Sequence, residues 1–136
     1  MTMQALTLSV SINRNWKDLY DAIWRPEAFQ KWASGMAEST LEPDGDQWKA
    51  RGPAGDVTIR FTAYNDFGVM DHTVRLASGD KSGDEIHVPL RVFANGDGAE
   101  VTLTLFRQPG MSDDQFAADA DWVRRDLATL AQRFST

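Results

Sequence analysis

Residues Ser112 to Phe134, SDDQFAADADWVRRDLATLAQRF, decide how the rest of the chain must be arranged. At about 100° per residue, Phe116, Ala120, Val123, Leu127, Leu130, Ala131 and Phe134 fall on one apolar stripe of a single helix. Ser112, with Gln115 three positions on, has the spacing of a capping box. Asp113 and Asp114 in the first turn and Arg133 in the last suit the helix dipole. Asp121 is spaced to pair with Arg125 one turn later. Such a helix is roughly 33 Å long. It is not stable in water without a cover for its stripe, so the remaining chain has to supply an apolar surface.

Working outward from that helix, the preceding residues read as strands. Leu6, Leu8, Val10 and Ile12 alternate with Thr7, Ser9 and Ser11, a half-buried strand. Asn15 caps a short helix with Trp16, Leu19, Tyr20, Ile23 and Trp24 on its apolar face. Pro26 stops it and opens a second helix, with Phe29 and Trp32 on its inner side and Gly35 at its end. Leu41 lies in a short strand closed by Pro43, Asp44 and Gly45. Trp48 and Ala50 mark the next strand, and Gly52 to Gly55 form a loop. Val57, Ile59, Phe61 and Ala63 follow, then a tight turn at Asn65-Asp66. Met70, His72, Val74 and Leu76 alternate next. Ser78 to Asp84 is a polar turn. Ile86, Val88, Leu90 and Val92 read as one strand, turned by Asn95-Gly96-Asp97-Gly98 into Val101, Leu103 and Leu105. Pro109 and Gly110 end the series.

The turns predict registers. Pairing Tyr64 with Phe67 sets Phe61 opposite Met70 and Ile59 opposite His72. Pairing Ala94 with Ala99 sets Leu90 opposite Leu103 and Val88 opposite Leu105. A symmetric loop at Ser78–Asp84 sets His72 beside Leu90. Slips of one residue would move every apolar side chain to the wrong face, so the agreement predicts an antiparallel meander, apolar on one face. The other face carries Thr58, Arg60, Thr62, Asp71, Thr73, Arg75, His87, Arg91, Thr102 and Thr104.

This order of elements resembles the helix-grip fold of the START-like superfamily, also called SRPBCC. The segment Asp18 to Trp32, DLYDAIWRPEAFQKW, is similar to the region where those families write an apolar helix, a Pro-Glu pair and an aromatic Lys-Trp ending. The stretches Gly68-Val69-Met70-Asp71-His72 and Phe106 to Ser112 resemble small bacterial members. The resemblance implies an α+β fold: a curved antiparallel sheet around the C-terminal helix, with two short helices after the first strand, in a single domain over residues 1–136. It also implies a cavity between sheet and helix, which the small Ala120 and Ala131 would help to leave open. Lining residues would be Trp48, Ile59, Phe61, Met70, His72, Leu90, Leu103, Phe116, Ala120, Val123 and Leu127. Because one fold hosts many functions, three readings follow from the resemblance. One is a binding protein for a small hydrophobic or aromatic molecule. Another is an enzyme like the polyketide cyclases and dehydratases. The third is a partner-binding module like the Hsp90 ATPase activators, with a protein partner or a homodimer.

Composition narrows the classes. The chain has 136 residues, net charge −6 and no cysteine. Scattered Lys and Arg argue against nucleic acid and anionic membranes. The lack of cysteine excludes disulfides and thiolate metal sites. Two histidines on opposite faces predict no zinc site, and no cofactor is expected. Asn95 to Gly98 lacks the further positions of a calcium loop. No leader pattern or long apolar run is visible, so membrane insertion is not expected and a cytoplasmic location is.

His72 is the sharpest candidate, the lone ionisable group expected on the apolar face. It would contact a ligand or act as general acid/base if the protein is an enzyme; a histidine satisfied within the core is the more ordinary reading. Asp71 should point to the opposite face and makes a poor dyad with it. Asp119, Asp126 and Arg124 flank the helix stripe, where solvated charges are usual. Trp16, Trp24 and Trp32 have core spacing, Trp48 is expected at the pocket, and Trp122 lies off the stripe.

Overall fold

The computed structural model describes residues 1–33, 41–52, 55–76 and 83–135. The expected helix end at Gly35, the centre of the Gly52–Gly55 loop and most of the Ser78–Asp84 turn lie outside them. The elements run β1 (Ala5–Ile12), α1 (Trp16–Ile23), α2 (Pro26–Phe29), β2 (Glu42–Asp44), β3 (Gln47–Gly52), β4 (Gly55–Phe61), β5 (His72–Leu76), β6 (Glu85–Val88), β7 (Leu90–Asn95), β8 (Gly98–Phe106) and α3 (Asp113–Phe134). Leu41, expected inside a strand, is buried just ahead of β2.

The terminal helix forms as its sequence dictates. Ser112 Oγ accepts from the Gln115 N–H at 3.1 Å, meeting one of the orphan donors of the first turn. Phe116, Ala120, Leu127 and Leu130 are buried along the stripe. Its charges pair differently from expectation: Arg124 reaches Asp121 at 2.9 Å, while Arg125 lies over the Trp122 ring at 4.8 Å. Asp126 is buried, so it is no solvated flank. The helix packs across β1 and β8.

Strands pair antiparallel as β2-β3-β4-β5-β6 and as β1-β8-β7. Leu90 faces Leu103 and Ala94 faces Ala99, as the Gly96-Asp97 turn requires. Two other registers differ from expectation. Phe61 faces His72 and Ile59 faces Val74, two residues from the expected pairing. The cause is Asn65, which builds a longer loop in place of a tight turn. Its Oδ1 accepts from the N–H groups of Phe67 and Val69, and its Nδ2 donates to the carbonyls of Ala63 and Val69. The loop is fastened to α1: the Tyr20 hydroxyl accepts from the Asn65 N–H at 2.9 Å, and Tyr64 donates to Asp21 at 2.7 Å. Likewise His72 faces Val88, not Leu90. Both slips are even, so every side chain keeps its face.

The expected strand from Ile86 to Val92 is broken at Pro89, which has no N–H to donate. The register nevertheless runs through the break. His72 faces Val88 on one side, and Val69 bridges Arg91 on the other. Met70 N–H donates to the Leu90 carbonyl at 2.7 Å, and Val92 N–H to the Gly68 carbonyl at 2.9 Å. Val88 therefore belongs to the five-stranded sheet and Leu90 to the three-stranded one. Asp71 closes the gap: its Oδ1 accepts from the Leu90 N–H at 2.9 Å, and its carboxylate binds Arg91 at 3.0 Å. Partial burial alone would raise the Asp71 pKa, but the hydrogen bonds from Arg91 and Leu90 outweigh it and hold the carboxyl below its ordinary value. Because the folded pKa is depressed, this contribution is present above about pH 4 and is lost as pH falls further. Asp71→Ala should cost about 2 kcal/mol, read from urea unfolding at neutral pH. The difference from wild type should shrink once the pH is low enough to protonate the wild-type carboxyl.

Candidate functional site: an aromatic niche around His72

The ladder breaks at Pro89 between the two sheets, and on the five-stranded side α2 packs against β4 and β5. α2 is held by Pro26 at its first turn, which aims Phe29 and, one turn on, Trp32 at the sheet. The Phe29 ring lies 5.4 Å from Trp32, 4.8 Å from Phe61 and 5.5 Å from His72, edge-on to the imidazole. Phe61 and His72, cross-strand neighbours, stand 5.7 Å apart. Phe29 thus sits at the centre of a niche of four rings, all buried or half-buried.

His72 is 3% exposed. Desolvation pushes its pKa down to about 4, against a smaller opposing effect of the Met70 carbonyl. The ring is therefore neutral at neutral pH. Its Nδ1 lies 3.3 Å from the Met70 carbonyl oxygen, a contact that needs the proton on Nδ1 and makes Nε2 the ring's acceptor. Asp71 faces away, toward Arg91 and His87. Trp32 is 2% exposed, and among the described residues its Nε1–H is buried without an acceptor. A buried orphan donor is uncommon, because losing water without a replacement partner costs about 1–3 kcal/mol. The niche thus holds an imidazole nitrogen able to accept and, among the described residues, one unmet donor, in apolar surroundings.

The other residues expected to line a cavity fall in two places. Ile59, Met70, Leu90, Leu103 and Leu127 join one contiguous core, with Trp48, Phe61 and Val123 half-buried against it. Phe116 and Ala120 are elsewhere. With Gln4, Leu6, Arg107 and Ala117 they line an open groove of about 320 Å³ beside β1. Phe29 and Trp32 carry the niche but were read only as core faces. The available signal was Trp32's indole N–H, which any buried tryptophan must place. Among the described residues no group of His, Asp and Glu converges to hold a metal ion, and no helix is long and apolar enough to cross a membrane.

A bent antiparallel sheet, two short helices after the first strand and a long terminal helix across the apolar face define the START-like, helix-grip class. The chain belongs to the family described as polyketide cyclase / dehydrase and lipid transport, whose sequence profile matches residues 3–136. No curated protein sequence matches it. Among solved structures, it is similar to the protein XoxI from Bacillus cereus, at 15% identity and TM-score 0.72, covering 97% of this chain and 96% of that one. The Aha1 dimer of Colwellia psychrerythraea shares 13% identity at TM-score 0.69, covering 96% and 95%. Ara h 8.0201 shares 8% at TM-score 0.60, covering 96% of each chain. Identities this low speak for the fold alone.

Proposed function

We propose that this protein binds a small hydrophobic or aromatic molecule in the niche of Phe29, Trp32, Phe61 and His72, without catalysing a reaction. The observation that carries this reading is the Trp32 Nε1–H, buried with no acceptor among the described residues, on a Phe29 ring that also meets the neutral His72 imidazole. A guest with a carbonyl or quinone oxygen would meet the indole, and a hydroxyl on it would meet His72 Nε2. Flat rings would stack against Phe29 and Phe61. This is the usual composition of a ligand site, apolar with a few placed polar groups. The family's description, which names polyketide chemistry and lipid transport, supports the same class of guest.

Thermal melts against a panel of hydroxyanthraquinones, naphthols and fatty acids test the reading, together with native mass spectrometry of the purified protein. An upward shift with the hydroxyanthraquinones is expected. Trp32→Phe, which keeps the ring and removes the donor, should weaken binding about tenfold. No shift with any compound would count against the proposal.

A cyclase-like enzyme with His72 as acid/base has less support. A pKa near 4 keeps the imidazole from carrying a proton at neutral pH, and its Nδ1 is committed to Met70. A partner-binding module using Trp122 is also weaker, since one face of that ring is already engaged by the Arg125 guanidinium.

A further inference from the structure

The two edges of the folded sheet are protected very differently. β2, at one end, has three residues, Glu42, Pro43 and Asp44, all exposed. A short strand with a proline and two acids resists pairing with another chain. β1, at the other end, is eight residues long, ALTLSVSI, with no charge and no proline. Every one of those residues pairs with β8 in unbroken register, so no bulge twists the edge away. Long, flat, uncharged edges of this kind are what soluble proteins ordinarily avoid.

Among the described residues no strand pairs with that edge, and the direction of its backbone groups can be assigned. Arg107 N–H donates to the Gln4 carbonyl at 2.8 Å, one step beyond the Ala5–Phe106 pair. Hydrogen-bonded pairs alternate along an antiparallel ladder. Leu6, Leu8, Val10 and Ile12 therefore direct their backbone groups to β8. Ala5, Thr7, Ser9 and Ser11 direct theirs outward. The inner face of the edge is incompletely covered too. Leu8 and Val10 are half-buried, whereas Leu103 and Val101 opposite them are buried, and Leu6 and its partner Leu105 are both half-buried. The open groove runs beside this edge, lined by Leu6, Phe116, Ala117 and Ala120 together with Gln4 and the charged Arg107, Asp113, Asp121 and Arg124.

We propose that β1 is the docking edge for a second copy of this chain, paired antiparallel about a two-fold axis at Leu8. In that register Leu8 faces Leu8, Leu6 faces Val10, Thr7 faces Ser9 and Ala5 faces Ser11 of the partner subunit. It is the register that uses every outward-facing backbone group of the strand. On the inner face each apolar residue meets an apolar one; on the outer face Thr7 meets Ser9 and the small Ala5 meets Ser11. The partner's Val10 lies over the mouth of the groove. A chain of net charge −6 generally repels its copies, and β1 is a long stretch that brings no like charges together when it does so. Two-fold self-pairing is the common closed form of assembly.

Light scattering on the full chain after size exclusion, at high micromolar concentration, should give twice the chain mass. Ser9→Pro removes only an outward N–H and leaves the β8 ladder intact; it should raise the dissociation constant at least tenfold with a melting curve that stays cooperative. Thr7→Lys, which sets a charge on the edge, should do the same and decides the matter if Ser9→Pro does not fold. The natural chain has no cysteine, so engineered thiols report the register. Leu8 residues facing each other in a non-hydrogen-bonded pair would have Cα atoms about 4.5 Å apart, within disulfide reach. Oxidised Leu8→Cys should form a cross-linked dimer, and Ser9→Cys should not. A monomeric wild type overturns the proposal, as does a dimer indifferent to both edge variants, or cross-linking by Ser9→Cys in place of Leu8→Cys.

Discussion

Gly68→Ala is expected to destabilise this protein by at least about 3 kcal/mol and to leave little folded material at 37 °C. Gly68 has φ +69°, a conformation that costs an L side chain about 1–2 kcal/mol. The larger effect is steric. A Cβ there would overlap the Val92 carbonyl oxygen and press on the Trp16 ring. Neither neighbour can yield cheaply. The Val92 N–H is bonded to the Gly68 carbonyl, and two residues later Met70 N–H is bonded to Leu90. The segment 68–70 carries the ladder past Pro89, so displacing it opens the joint between the two sheets. Gly45→Ala is the control. Its φ is +64°, yet nothing lies within 4 Å of the added carbon, so it should cost only the conformational 1–2 kcal/mol or so. Urea unfolding of both variants measures the difference, and equal losses would remove the steric argument.

The second large effect is a pH dependence owned by His72. The imidazole titrates near 6.5 when the chain is unfolded and at about 4 when folded. Between those values the unfolded state binds a proton that the folded state does not. Stability from this group is therefore complete above about pH 6.5, falls as pH drops toward 4, and levels off below. The full swing is about 3 kcal/mol. Burial is the cause, so replacing the imidazole with an apolar side chain should abolish the slope. His72→Leu should be comparable to wild type near pH 4 to 5 even if it is less stable at pH 7. Asp71 acts in a lower window, because its folded pKa is depressed below about 4, and the two are separable in one titration. Parallel slopes for wild type and His72→Leu would contradict the assignment.

The architecture was legible because it is carried by periodicity. The stripe of α3, the alternation of β1 and the Gly96-Asp97 turn each state their partner face directly, and all appear in the fold. Registers were less legible. Asn65 was read as half of a two-residue turn, whereas its side chain folds a ten-residue loop around itself. The resulting error was even, so His72 still reached the apolar face. Pro89 hides inside an apolar run; a proline in an apparent central strand signals a break, and it is that break which divides the strands between two sheets. Of the site, His72 and Phe61 were legible from alternation. Phe29 and Trp32 were not, because helical spacing assigns a buried ring to the core without asking where its N–H goes. Phe116 and Ala120 share the stripe with Leu127, but they line the groove beside β1 with Leu6 and Arg107.

The central claim is that the Trp32 indole N–H waits for a guest's acceptor. The most direct measurement is the set of five indole N–H resonances in a ¹⁵N-labelled protein, assigned by Trp32→Phe and titrated with a hydroxyanthraquinone and, in parallel, with naphthalene, which has no acceptor. The account predicts that the Trp32 resonance moves downfield with the quinone, and by much less with naphthalene, while Trp122 stays in place. A Trp32 resonance unmoved by the quinone, or moved equally by both compounds, would contradict it.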